Sequence, residues 1–347
     1  MFYVDKYRPN KIEDAIENAL INGYFHLDEL LKLQKMSKDD AIPHLIFFGP
    51  EGSGKKTIIN LLLEMLFDKH VHELCDSVYN VIGSGNTVNQ VTVKQSNYHI
   101  VIEPTNTNFD RYLIQDVVKE YAKKIPLNIF TAKRTFKIVL INNIDNLSYY
   151  AQTSLRRTLE LYSSTCRFIM WSRSLSKVID PLRSRCFCFC IKSPTDDQLM
   201  NFLLDVSAKE KIKLSMGQYS NILDIAKGNI KTATWLLHLY KLDEPIETTY
   251  DISIKEIIES LLKKDCDVIL NIRNSLYNIM ITNVPGTYVV RDILQKLLLT
   301  DKISYESKIS IANYAAICER NLIKCRREMT QLEPFISSII KTLIEEK

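Results

Sequence analysis

Long apolar runs are missing from this chain of 347 residues. None approaches the roughly 18 residues that cross a bilayer, so no membrane partner is expected. An excess of one charge is missing too: 45 Lys and Arg stand against 41 Asp and Glu, a net of +4. That is too mild to argue for a polyanionic partner by itself. Paired cysteines are absent; eight lie scattered with no CxxC spacing, which excludes a disulfide framework and a zinc ribbon and points to a reducing compartment. The start, MFYVDKYRPNK, lacks the apolar core of a leader, so the protein is expected not to be secreted. Repeats and low-complexity segments are also lacking. What remains is an ordinary globular composition, 46% hydrophobic and 25% charged, which excludes long disorder. At roughly 150 residues per domain the length suggests two or three domains.

The first ~190 residues alternate short apolar runs with longer amphipathic ones, the pattern of an α/β domain with a parallel sheet. Expected strands are HLIFF from His44, YHIVIE from Tyr98, FKIVLIN from Phe136, CRFIMW from Cys166 and CFCFCI from Cys186. Their nearly continuous hydrophobicity suits strands covered on both faces. Helices are expected at KKTIINLLLEMLF, DRYLIQDVVKEYAKK and YYAQTSLRRTLELY. In the second, Leu113, Val117 and Tyr121 share a face away from Lys119 and Lys123. The polar stretch from His70 to Gln95 reads as a loop or hairpin insertion. After Ser193-Pro194-Thr195 only helical periodicity continues. The expected division is residues 1–193 as the α/β domain, 194–246 as a small helical domain and 247–347 as a second helical domain, with turn-rich connections at 243–250 and 283–287.

One motif dominates. HLIFF runs into Gly49-Pro50-Glu51-Gly52-Ser53-Gly54-Lys55-Lys56-Thr57 and then a helix. Glycines let successive backbone N–H groups converge on phosphate oxygens. The helix N-terminus favours negative charge, and the lysine reaches the terminal phosphates. Strand before, helix after and Lys55 in place make this a nucleotide-binding loop rather than a chance turn. The residue after the lysine should carry a hydroxyl for Mg²⁺. Here it is Lys56; Thr57 could substitute only with a shifted helix start, which puts the metal in doubt.

With the loop placed, Val4-Asp5-Lys6-Tyr7-Arg8-Pro9, Leu155-Arg156-Arg157-Thr158 and Ser184-Arg185-Cys186 join it in a pattern. So do SNYH from Ser96, SKVI from Ser176, and Leu332-Glu333 with Phe335. Together, along essentially the whole chain, they resemble the small subunits of replication factor C, the AAA+ sliding-clamp loader, and most of all the subunit 3 type. The resemblance implies a P-loop AAA+ domain, a helical lid and a helical collar for oligomerisation. It implies ATP or ADP as ligand, a five-subunit assembly with other clamp-loader subunits, a ring-shaped clamp and primer–template DNA as partners, and a nuclear location. The Ile-, Lys- and Asn-rich usage hints at a viral source and then a cytoplasmic one.

The family's second nucleotide motif, Asp-Glu-x-Asp, becomes Asn142-Asn143-Ile144-Asp145. An amide carries no charge for a metal and cannot accept a proton from water. The sensor-1 asparagine is matched by Arg173, and the sensor-2 arginine by Lys231, which keeps charge without the planar fork. These changes imply a site that binds nucleotide and hydrolyses it poorly or not at all. Arg185 is intact, and in the family it serves as an arginine finger in the neighbouring subunit's site. Val4, Tyr7, Arg8 and Pro9 match the segment over the adenine.

Lys119 matches a basic family position near DNA, where Gln115 replaces an arginine. Ser148 could cap a helix whose N–H groups face a DNA phosphate; for Lys119 a solvated outer face is nearly as good a reading. Arg156 and Arg157 suit subunit contacts or an ion pair with Glu160. His70, His72 and Cys75 fall one ligand short of a structural zinc site, so no metal is expected. Cys186, Cys188 and Cys190 share one strand face and read as core. Two rivals remain: a self-sufficient AAA+ motor or remodeller, which needs a working Mg²⁺ site, and a collar protein that binds no nucleotide, against which Lys55 and the glycines speak.

Overall fold

A computed structural model describes residues 2–39, 41–67, 69–82, 88–104, 110–123, 134, 136–242, 244, 248–262, 268–282, 284–300, 303–322, 325 and 327–345. The chain divides into two compact units, Met1–Asp243 and Glu244–Lys347. The connections expected at 243–250 and 283–287 lie partly outside the described residues.

The first unit opens with three helices, α1 (Tyr3–Lys6), α2 (Ile12–Ile21) and α3 (Leu27–Met36). Then β1 (Leu45–Phe48) leads into α4 (Lys55–Leu66). The insertion is a hairpin, β2 (Cys75–Ile82) with β3 (Val88–Gln95), paired antiparallel over eight residues. After β4 (His99–Ile102) come α5 (Asp110–Leu113) and α6 (Lys119–Lys123), joined by a π-type turn at Ile114–Val118. Next are β5 (Lys137–Ile141), α7 (Tyr149–Leu161), β6 (Cys166–Ser172), α8 (Asp180–Arg183) and β7 (Phe187–Cys190).

Among the described residues the strands form one sheet, ordered β2-β3-β4-β5-β6-β1-β7. From β4 to β7 all pairings are parallel. Counting only these five in chain order, the arrangement is 5-1-4-3-2, the AAA+ P-loop fold. The continuous apolar runs have a direct cause. Ile46, Ile100, Ile102, Val139, Ile141, Phe168 and Met170 face one core, together with α5, α6 and α7. Leu45, Phe47, Val101, Ile138, Leu140 and Ile169 face the other, under α3 and α4. Period-two alternation thus feeds two apolar layers at once. Leu45, Ile46 and Phe47 are fully buried, each contributing on the order of 1.5–3 kcal/mol.

The expected strands and the helices read at KKTIINLLLEMLF and YYAQTSLRRTLELY form where they were read. The one read from Asp110 is split into α5 and α6 by the π-type turn at Ile114–Val118, yet Leu113, Val117 and Tyr121 are buried as their spacing required. One expectation fails. Cys190 is exposed, and Cys186 and Cys188 are only half-buried, because β7 is an edge strand whose outer face has less cover. Burial still lifts the Cys186 thiol to about 12.

Three helices complete this unit: α9 (Asp196–Glu210), α10 (Met216–Ala226) and α11 (Ile230–Lys241). Capping boxes from Thr195 and Ser215 start the first two, each satisfying two orphan donors. The second unit holds α12 (Thr249–Leu262), α13 (Val268–Ile281), α14 (Gly286–Leu298), α15 (Tyr305–Leu322) and α16 (Met329–Glu345) around one core. Glu328 accepts from the Gly286 N–H at 2.7 Å, anchoring the start of α14. No described helix is long and apolar enough to cross a membrane.

Candidate functional site

The site gathers where β1, β5 and β6 end. The 49–54 loop turns on glycines that nothing else could replace. Gly49 has φ +155, and a Cβ there would lie 1.9 Å from the Ile191 carbonyl oxygen. Gly52 has φ +74, and its Cβ would lie 1.9 Å from Asn229 Oδ1. Asn229 in turn caps α11 by accepting from the Thr232 N–H at 3.1 Å, and the Ile230 N–H donates to the Gly52 carbonyl at 3.2 Å. Loop and α11 are therefore backbone neighbours.

Lys55 is 6% exposed. Its Nζ donates to the Gly49 carbonyl at 2.7 Å and to that of Pro50. Burial, with Arg173 nearby, lowers its pKa against the opposing pull of Glu51 and Asp145. Ser53 Oγ donates to the Pro50 carbonyl at 2.9 Å, and His26 Nε2 meets the Ser53 carbonyl at 2.7 Å. The helix starts at Lys55 with Gly54 as its cap, so Lys56 holds the position after the lysine and Thr57 does not replace it.

A cavity of about 540 Å³ adjoins the loop. Val4, Tyr7, Arg8, Pro9, Glu51, Gly52, Gly54, Lys55, Lys56, Thr57 and Lys231 line it, with Tyr24, Trp171 and Arg173. Gly49, Pro50 and Ser53 form the loop behind it. The cradle that a Cβ would fill and the buried lysine fit a nucleotide's phosphates.

At the end of β5 the chemistry differs. Asn142 accepts from Trp171 Nε1 at 3.0 Å and donates through Nδ2 to Glu103 Oε1 at 2.9 Å. Both amide ends are used, and an aspartate could not donate to Glu103. Asn143 sits at φ +52, a conformation asparagine tolerates, with its Oδ1 buried and unpartnered. Asp145 accepts from Ser172 Oγ at 2.7 Å and from the Arg173 N–H at 2.8 Å. Its oxygens fix the β6 end. The turn offers amides at 142 and 143, and the Asp145 oxygens already accept two hydrogen bonds, so these donors do not fit Mg²⁺, which is held by free carboxylates beside the phosphates.

The remaining expected residues lie elsewhere. Arg185 donates from Nε to Glu160 at 2.6 Å and from Nη1 to the Pro181 carbonyl at 2.9 Å. Arg156 shares Glu160 at 3.4 Å. Ser148 caps α7, accepting from the Ala151 N–H at 3.3 Å. Lys119 is exposed, while Gln115 donates to Ser154 at 3.0 Å.

Sequence reasoning missed several participants. Glu103 and Trp171 carry no motif; their role appears only when β4, β5 and β6 align. Glu210, near the end of α9, gathers Lys6 at 2.5 Å, Tyr7 at 2.7 Å and Lys241 at 2.7 Å. Those donors, Lys241 and Lys6 foremost, hold its carboxyl far below the usual range. They pin the N-terminal segment beside the cavity.

The family described as DNA polymerase III, delta subunit, matches residues 27–195. A replication factor C small subunit of Acanthamoeba polyphaga mimivirus is 39% identical over 351 residues, covering 99% of this chain and 92% of that protein. The chain belongs to the replication factor C small-subunit family. Replication factor C subunit 3 of Arabidopsis thaliana is 29% identical, covering 98% and 97% of the two chains. Subunit 5 of Saccharomyces cerevisiae is 28% identical, covering 97% and 98%. Family membership implies nucleotide binding and a multi-subunit clamp-loader complex.

Proposed function

We propose that the chain is a clamp-loader small subunit that binds ATP or ADP, hydrolyses it poorly or not at all, and lends Arg185 to a neighbour. The observation that carries this reading is the contrast within one site. The glycine cradle and Lys55 are kept, while Asn142 is tied at both amide ends to Trp171 and Glu103. Without a carboxylate at 142 or 143 there is no base for water and no charge for a metal.

Val4, Tyr7, Arg8 and Pro9 would cover the adenine, and Lys231 would reach the phosphates from α11. Residues 194–246 act as the lid. Glu160 holds Arg185 at the surface, with Nη2 available to a phosphate across an interface. A guanidinium is always charged and meets two oxygens at once. Residues 247–347 act as the collar. In α15, Ile311, Ala315 and Leu322 face the unit's own core, yet Tyr305, Ile309 and Ile317 are exposed. A helix apolar on several sides suits packing by neighbouring subunits. Lys119 and the Ser148-capped end of α7 would follow the DNA backbone. The assembly would be a hetero-pentamer that opens a ring-shaped clamp at primer–template junctions. The nucleus is inherited from the family, and the mimivirus relative keeps a viral, cytoplasmic setting open.

Reconstituted complexes test the reading. Arg185→Ala should remove part of the DNA- and clamp-stimulated ATPase, since other subunits keep their fingers, and Arg185→Lys should restore little. Removal of residues 244–347 should abolish assembly. A full wild-type rate with Arg185→Ala would make that segment structural only.

A further inference from the structure

The cavity is cationic. Arg8, Lys55, Lys56, Arg173 and Lys231 line it, and Glu51 is the lone lining carboxylate. Two of these cations, Lys56 and Arg173, stand where the family pattern has a hydroxyl and an asparagine. Arg173 is held by its backbone, through the N–H bond to Asp145. Its side chain is 47% exposed and reaches back over the loop to Glu51 at 3.8 Å. That is an ion pair too long for a hydrogen bond. Among the described residues the guanidinium has no nearer acceptor, so its fork is available to an anion. The acidic oxygens that a metal would need are spent. Those of Asp145 hold Ser172 and Arg173, and Glu103 accepts from Asn142.

We propose that this site takes its nucleotide as the metal-free polyphosphate, with Arg173 and Lys56 supplying the two positive charges that Mg²⁺ supplies elsewhere. The proposal rests on the nucleotide-binding reading above. A planar guanidinium meets two phosphate oxygens at fixed geometry, and Lys56 adds a point charge from the first turn of α4. The phosphate would displace Glu51 from Arg173. Glu51 is exposed, so this exchange opens no buried charge. Lowering of the Lys55 pKa by burial and by Arg173 is consistent with cations crowded around an anion's position.

Calorimetric titration of the full chain with ADP and with ATP, in Mg²⁺ and in excess EDTA, decides it. The expected result is equal or tighter binding in EDTA. Arg173→Asn should weaken binding in EDTA by about tenfold or more, the loss of a charge-assisted hydrogen bond, and Arg173→Lys should recover only part. The Arg173 side chain is half-exposed, so the variants should fold as the wild type does, and matching thermal melts check it. Wild-type affinity that falls about tenfold or more in EDTA would overturn the proposal, as would an Arg173→Asn affinity equal to wild type in EDTA. Absence of binding in both buffers would instead remove the nucleotide-binding reading on which the proposal stands.

Discussion

The loop after β1 and the turn after β5 lie in one site, yet the two have been constrained differently. In the loop, geometry decides. Gly49 and Gly52 have no room for a Cβ, and Lys55 is sunk among backbone carbonyls. At the turn, side-chain hydrogen bonds decide. Asn142 and Asp145 fix the ends of three strands through hydrogen bonds to Trp171, Glu103, Ser172 and the Arg173 backbone. A phosphate cradle is mostly backbone and cannot be altered piecemeal. A catalytic carboxylate is one side chain, and it can be replaced if its neighbours supply new partners.

The largest expected effect falls on the loop. Gly49→Ala should cost about 3 kcal/mol or more, because its Cβ would meet the Ile191 carbonyl in a left-handed backbone. Thermal melts and nucleotide titration should both register it. Wild-type behaviour would break the contrast at once.

Acid should act on the opposite, amino-terminal end of the sheet, beneath both regions alike. Burial drives His99 down to about 4, and burial followed by the Arg167 guanidinium does the same for His44. Both imidazoles bind protons more readily when the chain is unfolded. Their stabilisation is therefore whole above pH 6.5 and is lost as pH falls from 6.5 toward 4. For His99, 3% exposed, the loss should be on the order of 2–3 kcal/mol. His99→Gln should flatten that part of a melting-temperature profile; an unchanged slope would reject this role.

Much of this was legible beforehand, because its signals are local. β1, β4, β5, β6 and β7 announced themselves as apolar runs, and the loop lies within nine consecutive residues. The partners of the altered turn were not legible. Glu103, Asn142 and Trp171 lie at the ends of three strands, and only the parallel register brings their side chains together. The β7 cysteines misled for a related reason: strand alternation gives a face, but only the sheet order reveals that β7 is an edge.

Smaller effects sharpen the turn side. Asn142→Asp places a carboxylate against Glu103 and removes the donor, and should cost about 1 kcal/mol without restoring turnover. Adding Glu103→Gln should return most of that stability, since the donor then comes from the other side. If the double variant is no more stable than the single, the pairing of 103 with 142 carries no energy. Smallest of all, Asn143→Asp should change assembly ATPase by less than about twofold, because one carboxylate alone leaves the site without the other parts of phosphoryl-transfer chemistry.

The central claim is that one site keeps its grip on nucleotide and has lost its chemistry. Incubating the isolated chain with labelled ATP, then measuring bound nucleotide and released phosphate in the same sample, tests this most directly. The account predicts binding that Lys55→Ala weakens, with the bound ATP recovered intact. Phosphate release at about one per second, near the lower end of ordinary enzyme rates, would contradict it.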